Sequence, residues 1–422
     1  MTDKKNIRHS TFASLKVRDY AYLWIGMLAS AFALNMQLVA QGWLVYEMTV
    51  SKMNLAWVTI AFMLPQVVFS LLGGVLGDRF RKKPILFWCQ FFNGVSTLFM
   101  AAIVVLGHVT FFDFLWVGFI NGTLLALSIP ARTAFIPELV GEPLMFNAMA
   151  FNTAAWNLSR ILGPALAGYM IALLAGGDTT SEFGVGMVYV VLSILYFVAA
   201  FSVFGIKHDG HPPKASGMSA MRDIQHALRY VVDSPVVGGL ILLSIMPFLF
   251  GLTINSLLPA FNTDILNGGP ETLGTLMTGM GAGAIIGSLL LARLGRLRHK
   301  GFWIFATEAA WGASLVAFAL SSSLTAAMFA IAALGLVSAI NMSMNRSLVQ
   351  LQVDQAMRGR VMSIDLMSHG LMPLGLLPIS WVAQQWGVQT GLAVSGLILV
   401  LITAALWTRM PAVRAIDRGF AD

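Results

Sequence analysis

Asp365 and His369 stand four residues apart inside an apolar run, so on a helix they share one face with the acid preceding the base. A carboxylate and an imidazole at that spacing can hold and pass a proton near neutral pH. His369 is the only one of seven histidines inside such a run. The same two residues read equally well as a buried pair that pins one helix to another. Arg160, Glu47 and Glu308 also lie in apolar runs. A charge at bilayer depth costs at least ~2.5–3.5 kcal/mol on insertion scales, so each needs a partner or a task. Arg160 falls ~20 Å along its helix, near a membrane midplane. There it can meet an anionic or carbonyl-rich ligand or a moving carboxylate, or it can bond to backbone carbonyls of a neighbouring helix. Glu47, near the outer end of its run, suits either a proton-accessible carboxylate or a solvated helix end. Glu308 is a further proton-coupling candidate, although satisfaction near the inner interface is expected for it.

Other chemistries are excluded. One cysteine, Cys89, leaves no disulfide within the chain and no cysteine-built zinc site. No G-x-x-x-x-G-K-[ST] segment encodes a nucleotide-driven pump. Gly279, Gly281, Gly283 and Gly287 superficially match a dinucleotide fingerprint, but no strand precedes them. They are expected to let apolar helices approach. The remaining histidines sit in loops or tails without metal spacing. No cofactor, no metal and no nucleic-acid partner is expected, and the chain is expected to act as a monomer without enzymatic activity.

The elements that position these residues follow from composition. Of 422 residues, 57% are hydrophobic and only 11% charged, against roughly 25% charged in a soluble domain. Mean hydropathy is +0.78. Twelve stretches reach the ~20 apolar residues that a spanning helix needs. They run Tyr20–Thr49, Asn54–Gly77, Pro84–Leu106, Phe111–Ser128, Asn147–Ala175, Val185–Gly205, Val236–Phe261, Thr272–Leu294, Gly301–Leu320, Leu324–Arg346, Val361–Trp386 and Thr390–Arg409. The first is too long for a cleavable signal. Of 26 lysines and arginines, 24 fall on one side of an even count of spans, which places both termini in the cytoplasm. In this arrangement the net charge of +7 reports membrane topology. The fold class is all-α integral membrane, with the lipid bilayer as solvent.

A polar break divides the spans into two sets of six. The expected domains are 1–206, a linker at 207–235, 236–409 and a tail at 410–422. Within the linker, Met218, Met221, Ile224, Leu228 and Val231 share a helical face, as in a helix lying on the inner membrane surface. The halves look duplicated. Gly74-Val-Leu-Gly-Asp78-Arg79-Phe-Arg81-Lys82-Lys83 matches Ser288-Leu-Leu-Leu-Ala292-Arg293-Leu-Gly295-Arg296 at an offset of 214, and the same offset puts Arg132 on Arg346. Six-span repeats with a site at mid-membrane are a known transporter architecture.

The first of these segments resembles motif A of the major facilitator superfamily, G-x-x-x-D-R-x-G-R-R, with Arg81 in place of its second glycine. Gly163-Pro164-Ala-Leu-Ala-Gly168 resembles motif C, associated with exporters. Trp43-Leu-Val-Tyr-Glu47-Met-Thr, Ile136-Pro137-Glu138-Leu-Val and Arg358-Gly359-Arg360-Val-Met-Ser363 narrow the resemblance to the branch of siderophore exporters and macrolide-efflux proteins. Motif B is absent, Gly118-Phe-Ile-Asn121-Gly122 standing where its arginine would fall, so coupling chemistry ascribed to that arginine does not carry over.

The resemblance implies that spans 1, 4, 7 and 10 line a central cavity. Asn35, Gln37, Gln41, Asn121, Asn255, Asn341 and Asn345, with Arg160, are then the substrate-facing candidates. Each amide serves equally as a tie between helices. The inner gate is expected from Asp78, Arg79, Arg81, Arg132, Glu138, Arg346 and Arg360, with Asp78 pairing to the inner ends of spans 4 or 11 and Glu138 holding Arg79 or Arg81. The implied function is secondary export of an amphipathic small molecule (a siderophore, macrolide or drug-like compound) by alternating access, with protons as coupling ion, in a bacterial inner membrane. Uptake or lipid transport by the same fold, and a non-transporting receptor or assembly factor, are the rival readings.

Overall fold

The computed structural model describes residues 12–174, 182–210, 228–293, 299–354, 357, 361–362, 364–365 and 369–416, apart from the side chains of 70–79, 146 and 369. Helices account for nearly all of it, with no strand among the described residues. In chain order they are α1 Arg18–Thr49, α2 Lys52–Arg79, α3 Lys82–Val105, α4 Phe111–Val140, α5 Met145–Leu174, α6 Glu182–Ser202, α7 Pro235–Asp264, α8 Pro270–Arg293, α9 Lys300–Ala319, α10 Leu324–Gln352, α11 Met372–Trp386 and α12 Val388–Arg409. Among the described residues, eleven are long and apolar enough to cross a membrane. The exception is α11, because several positions of the expected span Val361–Trp386 lie outside the described residues.

Local sequence sets the helix ends. Thr110 and Asp113 form a reciprocal capping box at the start of α4. Ser234 and Ser323 cap α7 and α10 by accepting from Val237 N–H and Ala326 N–H. Gly387, at φ +91°, makes the left-handed link from α11 to α12. Apolar side chains such as Phe112, Leu173 and Phe329 are more than two-thirds exposed, as a lipid-facing surface requires.

The ends of spans 4 and 10 and the linker helix differ from the sequence reading: α10 continues past Arg346 to Gln352. The fourth span does not end at Ser128. α4 runs through Pro130 and Pro137 to Val140, and Arg132, expected in an aqueous inner segment, is 7% exposed inside it. Proline is tolerated in such helices because neighbouring groups satisfy the freed carbonyls. The surface helix expected in the linker falls mostly on 211–227, outside the described residues; 228–233 is helical, and Val231 packs with Val237, Leu240 and Val413.

The chain divides into two compact units. The first is Met1–Thr49, Trp57–Ser216 and Gly269–Thr275; the second is Val50–Ala56, Gly217–Gly268 and Leu276–Asp422. Within the first, Gly163 and Gly168 of the motif C segment sit where backbones nearly touch: a Cβ on Gly163 would press on Asn35, and one on Gly168 would strike the Pro270 carbonyl. In the second, Gly279, Gly283 and Gly287 abut Met328, Ala332 and Leu336 of α10. That stripe is therefore close helix packing, as expected from its apolar setting.

Candidate functional site

In the first unit a polar seam descends through the bundle. Gln37 Nε2 donates to Gln41 Oε1 (3.3 Å), Asn121 Nδ2 to Gln37 Oε1 (3.4 Å) and Ser96 Oγ to Asn121 Oδ1 (2.9 Å). The seam opens on a pocket lined by Ser30, Gln90, Asn93, Asn121, Arg132 and Trp156. Gln90 Oε1 and Asn93 Oδ1 are buried there without hydrogen-bond partners, and so is Thr97 Oγ1 in the next turn of α3. The Arg132 guanidinium has no paired carboxylate among the described residues. This pocket holds a cation and unspent acceptors, a set suited to a ligand group that offers both an anionic oxygen and a hydrogen-bond donor.

The second unit has a pocket lined by Ser244, Phe248, Asn341, Asn345, Arg346 and Asp365. Asp365 is 3% exposed and accepts from Ser244 Oγ at 2.5 Å. Asn345 Nδ2 donates to the Leu240 carbonyl (3.2 Å), leaving its Oδ1 unpartnered. Asn341 Nδ2 donates to the Ile304 carbonyl (3.2 Å) and to Thr307 Oγ1 (3.1 Å), tying α10 to α9. The wall of this pocket is broken by a π-turn, Pro247–Gly251, inside α7. Its freed Phe250 carbonyl accepts from Ser395 Oγ (2.7 Å) and Thr253 Oγ1 (3.0 Å). Wide turns of this kind concentrate at functional sites. Three lining pairs, Ser30 with Ser244, Leu34 with Phe248 and Arg132 with Arg346, are separated by the 214 residues of the repeat. The two pockets thus lie at corresponding places in the repeat.

The other expected site residues are placed as follows. Asn35 Nδ2 is committed to the Ala31 carbonyl (2.9 Å) and Ser159 Oγ (3.1 Å), a tie between α1 and α5. Arg160 and Asn255 are exposed on their helices, and Glu47 is half-buried. Arg81 pairs with Asp209 (3.2 Å), and Glu138 pairs with Lys82 (2.7 Å) instead of Arg81. Lys82 is 1% exposed while Arg81 points into solvent, so the deeper cation takes the acid at the inner end of α4. The loop after α6 closes over them: Asp19 accepts from the Lys207 and His208 backbones (3.0 Å each), and Lys83 Nζ donates to the Ile206 carbonyl (2.5 Å). Asp78, Arg79 and His369 have side chains outside the description, and Arg360 lies outside the described residues. Glu308 is not satisfied near an interface. It is 0% exposed, and neither carboxyl oxygen has a hydrogen-bond partner. Gln90, Asn93 and Thr97 were not expected at a site, although their i, i+3, i+7 spacing along α3 marks one polar face.

A multi-pass helical bundle duplicated around two polar pockets is the architecture of a membrane transporter. Solved structures agree on the fold. A bacterial homologue of the human lysosomal transporter Spinster superposes with a TM-score of 0.74 at 14% identity, covering 96% of this chain and 99% of that one. The nucleoside transporter NupG gives 0.71 at 15% identity, covering 93% and 99%. Among curated proteins, the enterobactin exporter EntS of Citrobacter koseri is 23% identical over 291 residues, 69% of this chain and 67% of that protein. Its Escherichia coli counterpart is 22% identical over the same length. The chain belongs to the transmembrane secretion effector family of the major facilitator superfamily, whose profile matches residues 9–419. It is a transporter, not an enzyme.

Proposed function

We propose that this protein is a secondary exporter of the bacterial inner membrane that moves an amphipathic small molecule outward by alternating access, driven by proton antiport. The observation that carries this reading is the divergence of two repeat-related pockets within a family whose relatives include enterobactin exporters. One pocket has an arginine among amides, the other a buried carboxylate held by a single serine. The first suits capture of a polar oxygen-rich group. The second offers an enclosed acid beside Ser244 and Asn345, a side chain able to carry a proton. Siderophores such as enterobactin, macrolides and related drug-like compounds are the substrate classes in view. The gate is assigned to Asp78, Arg79, Arg81, Arg132, Glu138, Arg346 and Arg360, with Asp365 and His369 as coupling groups.

The test uses inverted membrane vesicles with an imposed pH gradient, acid inside, and an acridine dye reporting that gradient. Enterobactin and erythromycin serve as probes, alongside metabolite profiling of medium from cells with and without the protein. Export by antiport predicts substrate-dependent collapse of the gradient and accumulation of the compound inside the vesicles. Binding of a probe with no flux in either direction would replace the transporter reading by a receptor. Flux toward the cytoplasm would replace export by uptake.

A further inference from the structure

Glu308 stands outside both pockets, on α9, yet it is buried more completely than any other carboxylate among the described residues. Both of its oxygens lack a hydrogen-bond partner. The α12 face packed against it presents Thr403, whose hydroxyl donates to the Leu399 carbonyl at 2.7 Å. A protonated Glu308 can donate to that hydroxyl while it stays bonded to Leu399, whereas an ionised one would have to draw its proton away. Three residues on, the Trp311 indole N–H is buried and also unpartnered. A residue and its i+3 neighbour lie one turn apart on a helix, and the indole edge here faces Gly251 of α7.

Among the described residues no cation forms an ion pair with the acid. Arg409 is the sole charged residue of α12, about 9 Å along the axis from Thr403. Arg346 is the sole charged residue of α10 and is exposed. α7 offers only Asp264 at its far end, and α11 has no ionisable residue. Lys300, on α9 itself, is about 12 Å away along the axis. Arg414 lies over the Trp407 ring at 5.2 Å. The nearest titratable group by connection is Asp365, whose pocket is also lined by the Asn341 that bonds to Thr307, the residue before Glu308. An apolar residue would fill this position without the cost of burying a carboxyl.

We propose that Glu308 is a second proton-binding site of the transport cycle, holding its proton in the state seen here and releasing it when the α9–α12 seam admits water. On release the O–H bond electrons stay on the carboxylate and the proton passes to water. This rests on the proton-antiport reading and adds a site away from the pockets.

The experiment labels the full-length protein in lipid nanodiscs with dicyclohexylcarbodiimide, whose nitrogen takes the proton of a carboxylic acid in apolar surroundings and whose carbon the carboxyl oxygen then attacks, and reads modified peptides by mass spectrometry. Glu308 should be labelled near about pH 7, where an ordinary glutamate is ionised. In vesicles, Glu308→Gln should retain substrate counterflow but lose about tenfold of pH-gradient-driven accumulation, and Glu308→Asp should restore part of it. An unlabelled Glu308 overturns the proposal, whether or not the glutamine variant folds. Wild-type pH-driven accumulation in a well-expressed Glu308→Gln protein overturns it while leaving antiport intact. A wild type indifferent to the pH gradient overturns both.

Discussion

The two pockets occupy the same positions of the duplicated fold and differ in charge. Ser30, Leu34 and Arg132 line one; Ser244, Phe248 and Arg346, at the same 214-residue offset, line the other. In the first, the arginine is buried and its described neighbours are amides and hydroxyls. In the second, the arginine is exposed and Asp365 supplies a buried acid. Asp365 falls opposite Phe151 and Glu308 opposite Gly94 in the repeat, so neither carboxyl has a counterpart in the first half. Three lining positions correspond across the repeat while the charges around them differ. One half presents a buried arginine among amides and hydroxyls, the other a buried carboxylate.

That division of labour is open to direct attack. The largest effect is expected at Asp365. Asp365→Asn keeps the Ser244 hydrogen bond but removes titration, so pH-gradient-driven flux should fall about a hundredfold while substrate counterflow survives. Wild-type pH dependence in that variant would erase the contrast between the halves. Arg132→Met tests the other side. It should weaken apparent affinity for an anionic probe about tenfold and leave the pH profile of the residual flux unchanged. A shifted profile would place proton chemistry in both halves. Next come the amides. Asn121→Ala breaks the link between Gln37 and Ser96, worth about 1 kcal/mol, and should raise the substrate KM about fivefold. Asn341→Ala removes both hydrogen bonds that tie α10 to α9 and should appear as a lowered Tm in detergent, by the equivalent of about 1–3 kcal/mol. Equal Tm losses in both variants would mean that the seam in the first half is only glue.

Much of this was legible in the sequence, for identifiable reasons. Spans were readable because a lipid-crossing helix needs a continuous apolar run, and the repeat was readable because Arg132 and Arg346 share the offset of the motif A copies. The end of α4 was not, because a lone arginine after an apolar run looks like a loop, and nothing local shows that Pro130 and Pro137 remain helical. Side-chain direction was the harder limit. Asn35 and Asn341 are consumed by helix ties, whereas Asn255 is exposed, and these outcomes depend on which neighbour packs where. Glu308 shows the limit most clearly: position along a span suggested an interface, but depth between two helices is a tertiary fact.

The smallest expected effect concerns the loop that distinguishes the motif A copies. The first copy has Arg81 where the second has Gly295. Arg81 reaches Asp209 at 3.2 Å, but the two side chains are 60% and 45% exposed, so water screens the pair. Exposed pairs contribute about 0.2–1 kcal/mol, and an ordering cost on two flexible side chains offsets part of that. Arg81→Gly, which makes this position of the loop like its counterpart, should therefore shift stability by no more than about 0.5 kcal/mol and leave flux within about twofold of wild type. Lys82→Gly is the control. Lys82 is buried against Glu138 at 2.7 Å, and its loss strands a partly buried acid beneath the loop that Asp19 and Lys83 hold closed. Measured side by side, the Lys82 variant should lose Tm and transport together, and the Arg81 variant neither. A large transport defect from Arg81→Gly with normal stability would mean that the exposed pair, not the buried one, sets the inner gate.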